Sequence, residues 1–205
     1  MKKQYILGIL FFSGLWGISE AFLGEALYDT NVVFASVPLT IIGFMVLTFA
    51  RVLLPQKGTA TLIACLAMLY KFLNVPFFAC HLLGILIMGM CYDLFFSVFK
   101  IKNRSLSIAA MTYLNYTLFA LMITYVFRYE FWVHGGLTKV LSHIGISGSL
   151  AALSCAFLLP VAFNFSEKVK ESFAMPFNIR SKSAQSGFLV VTIGMWIYSI
   201  AVFSF

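Results

Sequence analysis

The residues whose types could do chemistry here are few, and most of them sit where they are costly. Glu20, Lys71, Cys80, His81 and Asp93 fall inside apolar runs, and Glu25, Asp29 and Asn74 fall at the ends of such runs. An ionisable group at membrane depth is expensive and by default marks a function. A carboxylate, an ammonium, a thiol and an imidazole together suit capture of a small polar solute, cationic or metal-containing. The same Glu20 and Lys71 would also serve as a structural ion pair between two helices, with the lysine snorkelling to the interface. Asn115 is either a contact between helices or a ligand contact. No cofactor is implied, and whether a metal is the solute is left open by these residue types.

Catalytic patterns are absent or incomplete. Gly145-Ile146-Ser147-Gly148 has the GxSG form of an intramembrane serine nucleophile, but its histidine base must come from a later span. The three histidines are His81, His134 and His143, all before Ser147. A tight helix start at Gly145 is the simpler expectation. There is no HExxH, no phosphate-binding GxxxxGK[ST] and no GxGxxG. The chain reads as a non-enzyme, and energy for any active transport would come from a gradient or a partner. The four cysteines, Cys65, Cys80, Cys91 and Cys155, have no metal-ligand spacing and read as buried free thiols.

These residues need elements to hold them, and composition says what kind. Of 205 residues, 61% are hydrophobic and 10% are charged. A soluble domain carries about 25% charge, so a lipid bilayer must be the solvent, which excludes a cytosolic enzyme, a disordered chain and a secreted disulfide scaffold. Seven runs approach the roughly 20 apolar residues a bilayer span needs: about 5–27, 34–54, 58–75, 77–99, 105–128, 145–164 and 186–205. The expected fold is all-α, a polytopic transmembrane helical bundle of six to seven spans, as one integral membrane domain over 1–205. The seventh span is the least secure. The start of the chain also has the outline of a signal peptide, but Glu20 inside the Ser19–Ala21 cleavage pair argues for a retained helix.

Charge gives orientation. With the N-terminus inside and seven alternating spans, Lys2, Lys3, Arg51, Lys57, Lys100, Lys102, Arg104, Lys168, Lys170, Arg180 and Lys182 fall in the cytoplasm, and only Arg128 and Lys139 fall outside. That asymmetry predicts a bacterial inner-membrane protein with a cytoplasmic N-terminus. The net charge of +7 sits in short loop clusters, not in the basic stripe of a nucleic-acid binder. In this topology Glu20, Lys71, Cys80 and His81 share one depth near the external side, with Glu25, Asp29 and Asn74 at the mouth. Asp93 lies in the inner half of its span, expected to pair with a basic loop residue. Residues 129–144 read as an external lid or re-entrant turn with Tyr129 and Trp132 at headgroup level, and residues 165–185 as an internal interfacial amphipathic segment or a docking surface for a cytoplasmic partner.

Span 1 carries small residues at four-residue spacing, Ser13, Gly17 and Ala21, with Gly14 and Gly24 near the same side. Such a stripe lets another backbone approach closely, either within the chain or on a partner. Together, SGLWGISEAFLG at 13–24, YKFLNVP at 70–76 and LGILIMG at 83–89 resemble the substrate-binding S components of energy-coupling factor vitamin transporters and related bacterial membrane proteins. The resemblance covers about the first half of the chain. It implies a compact bundle, usually of six spans, that captures a vitamin-like or metal-containing solute outside. It also implies docking of a transmembrane coupling subunit, with its ATPases, through the span 1 stripe. The expected ligand-binding residues are Glu20, Glu25, Lys71, Asn74, Cys80 and His81, and the expected docking residues are Ser13, Gly17 and Ala21. The competing readings are a stand-alone ion- or proton-coupled transporter or channel using Glu20 and Asp93, and a membrane assembly protein without a ligand.

Overall fold

A computed structural model describes residues 2–30, 32–74, 79–99, 104–172 and 182–203, and the described residues form helices and turns. The helices are α1 (Lys2–Asp29), α2 (Ser36–Leu53), α3 (Thr59–Asn74), α4 (Ala79–Asp93), α5 (Arg104–Leu121), α6 (Glu130–Ser142), α7 (Ser149–Ser172) and α8 (Lys182–Phe203). Three π-helical stretches, Leu94–Phe99, Met122–Val126 and His143–Gly148, prolong α4 and α5 and join α6 to α7. Five helices are long and apolar enough to cross a membrane, and Thr59–Tyr70 and Ser186–Ser199 are shorter apolar helices. The all-α bundle is therefore as the sequence predicts.

Local chemistry sets several boundaries. Pro38 stands in the first turn of α2, where its missing N–H costs nothing, and Pro55 follows the end of α2. Gly58 then turns the chain at φ +80° into α3. Gly136 breaks α6 at φ 56° and ψ −159°, a conformation that glycine adopts without the Cβ clash other residues meet.

Pairwise contacts give helix directions. Tyr5 Oη bonds Thr59 Oγ1 at 2.7 Å and Gly17 lies against Tyr70, so α1 and α3 run parallel with a near-constant offset. Asp93 meets Thr61 and Gly89 meets Ala64, so α4 runs back along α3. Gly43 faces Trp16 and Gly8 faces Leu54, so α2 opposes α1. Arg104 pairs with Glu167 near one end and Tyr116 packs on Gly148 near the other, so α7 opposes α5. α8 lies against α1 and α3, with Phe11 on Phe188 and Phe22 on Tyr198. It therefore runs parallel to both.

The bundle is polar inside and apolar outside at many positions. Tyr116 hydrogen-bonds Thr40 at 3.2 Å and Ser36 at 3.4 Å, and Tyr92 donates to Thr48 at 3.2 Å. Leu153, Phe157 and Val161 on α7 and Val190 and Ile197 on α8 are exposed, Phe157 at 77%. Exposed apolar side chains of this extent fit a lipid solvent.

Two expectations about the second half are corrected. Gly145 does not start a helix. Helical structure runs over residues 130–170, kinked at Gly136, and Gly145 lies within its π-helical stretch. A π turn closes on the fifth residue rather than the fourth, which the apolar sequence pattern does not announce. The lid is therefore helical, and Trp132 turns inward rather than toward headgroups. It is 8% exposed and sits edge-on to Phe119 and His143. The amphipathic segment begins as the last turns of α7, through Ser172, while its Phe173, Met175, Phe177 and Ile179 lie outside the described residues.

Candidate functional site

The offset between α1 and α3 fixes the level of Glu20. Tyr5 pairs with Thr59 and Gly17 with Tyr70, so Glu20 stands level with Leu73 and Asn74. The antiparallel α3–α4 pairs, Thr61 with Asp93 and Ala64 with Gly89, set Cys80 level with the same two residues and His81 one step nearer Lys71. The backbone register thus brings the levels of Glu20, Lys71, Asn74, Cys80 and His81 within about one helical turn of one another on three packed helices. The side chains of Glu25, Asp29, Lys71 and Asn74 lie outside the described residues.

Glu20 is 6% exposed and accepts a hydrogen bond from Trp16 Nε1 at 3.3 Å. Trp16, fully buried, is clamped against Gly43 of α2, where a Cβ would come within 2.9 Å of its ring. One oxygen of the Glu20 carboxylate is therefore fixed by a rigid indole on its own helix. Cys80 and His81 are half-buried at the start of α4. All four cysteines are free thiols, with Cys91 and Cys155 fully inside the bundle. Among the described residues no group of three or more His, Cys, Asp or Glu could hold a metal ion.

The small-residue stripe of α1 is covered from within the chain. Ser13 is fully buried and donates to the Leu10 carbonyl at 3.1 Å. A Cβ on Gly14 would stand 3.2 Å from Trp196 Nε1 of α8, and one on Gly17 would stand 2.7 Å from Tyr70 Cβ of α3. Tyr70 in turn donates to the Met195 carbonyl at 3.0 Å, and Trp196 donates to the Leu10 carbonyl at 3.0 Å. Ala21 is half-buried. At Gly14 and Gly17 the close approach that small residues permit is made by α8 and α3.

Asp93 corrects another expectation. It pairs with no basic loop residue among those described. Its Oδ2 accepts the Thr61 backbone N–H and the Thr61 hydroxyl, both at 2.8 Å. It thereby caps the first turn of α3 from a neighbouring helix, satisfying one of the amide donors that a helix start leaves open. A carboxylate near the end of one span and a threonine at the start of another are the only sequence signal, and neither announces its partner.

The lid contributes an aromatic cluster that sequence reasoning missed. The His143 ring lies 4.9 Å from Tyr116, 5.6 Å from Phe119 and 5.0 Å from Trp132 between centroids. Phe119 also lies beside Gly84, one turn along α4 from His81. His143 is thus held by aromatic rings, and among the described residues no side-chain hydrogen bond joins it to the buried Ser147 four residues on. Asn115 is buried with its Oδ1 lacking a hydrogen-bond partner among the described residues. No protein-family model, curated protein or solved structure matches the chain.

Proposed function

We propose that the chain is a multi-pass protein of the bacterial inner membrane that captures a small vitamin-like or metal-containing solute at its external end, as the binding subunit of an uptake system. The observation that carries this reading is the shared level of Glu20, Lys71, Asn74, Cys80 and His81 on α1, α3 and α4. Lys3, Arg51, Lys57, Arg104 and Lys168 lie toward the opposite end of the same bundle. Cation-rich ends face the cytoplasm, so the N-terminus is cytoplasmic and the Glu20 level is external.

Glu20 supplies buried negative charge for a cationic group, and a thiol and an imidazole nearby suit a borderline-soft metal centre. A coupling subunit with its ATPases remains part of the proposal. Its contact would fall on a face other than that of Gly14 and Gly17, which α8 and α3 occupy.

The test is ligand-induced thermal stabilisation of the purified protein against a panel of Co²⁺, Ni²⁺ and cationic vitamins, with Glu20→Gln, His81→Ala and Glu20→Gln/Lys71→Met variants. A ligand site predicts a folded double variant that no panel member stabilises. A purely structural pair predicts that Glu20→Gln alone is the least stable form, because it leaves the partner charge uncompensated, and that the double variant regains stability. The latter outcome, with no stabilisation of wild type by any member, would remove the capture reading.

A further inference from the structure

At the opposite end of α4, Asp93 does more than cap α3. Its Oδ2 has two donors, yet its Oδ1 is buried with no hydrogen-bond partner among the described residues. One turn along the same helix, Ser97 Oγ is also buried without a partner. The two residues are 9% and 8% exposed. A buried polar oxygen left without a partner is costly, and native structures rarely leave two such atoms one turn apart on a helix.

Three features of the place favour positive charge. The helical run continues through the π stretch to Phe99, which puts Ser97 in the last turn, where the helix dipole is negative. The helix changes there from α to π at Leu94, a transition that disturbs the carbonyl ladder and recurs at functional sites. The same end already attracts one cation: Arg51 donates to the Phe96 carbonyl at 3.2 Å and to the Gln56 carbonyl at 3.2 Å. Both terminal nitrogens of Arg51 thus donate to backbone oxygens.

We infer that Asp93 Oδ1 and Ser97 Oγ are protein ligands of a monovalent, sodium-sized cation at the end of the bundle opposite Glu20. Oxygen donors select hard cations. A single carboxylate balances a single positive charge, and among the described residues no group of three or more His, Cys, Asp or Glu could hold a metal ion. The remaining coordination comes from backbone carbonyls of the π stretch and water. This site is independent of the solute site proposed above and uses none of its residues.

The experiment is a melting-temperature titration of the full chain in detergent with NaCl, at constant ionic strength maintained by choline chloride. Wild type should show saturable stabilisation by Na⁺ that choline does not give. Asp93→Asn keeps an oxygen for the Thr61 donors and removes the charge. Ser97→Ala removes a ligand without touching the cap. Each should weaken apparent Na⁺ affinity at least tenfold, and Arg51→Gln should strengthen it by removing a competing cation. If Asp93→Asn fails to fold, Ser97→Ala decides alone. Equal responses to Na⁺ and choline in wild type overturn the inference and leave a trapped water as the partner of the two oxygens, as does an unchanged Na⁺ response in Ser97→Ala.

Discussion

Gly17→Ala isolates the contact on which the α1–α3 register depends. In an exposed helix the change would stabilise by about 0.5–1 kcal/mol, because alanine loses less chain entropy than glycine. Here the new Cβ would stand 2.5 Å from Tyr70 Cδ1 and 2.7 Å from Tyr70 Cβ. The Cβ of Tyr70 is part of the helix frame and does not rotate away, so the helices must part by about 1 Å to restore ordinary contact near 4 Å. Tyr70 is also held from its far side, by its bond to the Met195 carbonyl and its edge-on packing against Trp196 at 5.3 Å. Moving it therefore disturbs α8 as well. Overpacking of this kind costs about 1–3 kcal/mol, which outweighs the helix gain. The net expectation is a loss of about 1–2 kcal/mol, read as a fall in melting temperature of about 2–8 °C for a chain of this size. The decisive control is the same substitution in a Tyr70→Ala background. With the ring gone, the clash is gone and the intrinsic preference remains, so Gly17→Ala should change sign and become stabilising, a coupling expected only between residues in contact. A Gly17→Ala single variant at least as stable as wild type would refute the packing and with it the register that levels Glu20 with Asn74.

Two further predictions use the same variants-and-melting approach or simple labelling. On a background lacking the four cysteines, Lys139→Cys should react with an impermeant thiol reagent in intact cells and Lys57→Cys should not; the reverse pattern would invert the membrane orientation. Arg104→Gln should cost only a few tenths of a kcal/mol and lose that effect in high salt, because its 3.3 Å pair with Glu167 is half exposed; a larger loss in thermal melts would show that its stacking 5.0 Å over the Phe163 ring carries the energy.

What the sequence determined alone is what depends on local composition. Runs of apolar residues long enough to span lipid become helices because backbone groups without water must bond internally, so the all-α bundle was legible from hydropathy, although five helices, not seven, are long and apolar enough to cross a membrane. The clustering of cations between alternate runs, and so their gathering at one end, was legible for the same reason. The tertiary structure alone decided which side of each helix meets which neighbour. A helix apolar all round carries no stripe that marks its buried face, so the sequence could say that Gly14 and Gly17 permit a close approach but not that Trp196 and Tyr70 make it. It could place Asp93 in the inner half of its span, but not set it on the Thr61 amide. It could set Glu20, Cys80 and His81 at one depth by counting. Only the packed offsets of α1, α3 and α4 turn that depth into one level of a shared surface, because register is fixed by contacts between helices and not by length along one.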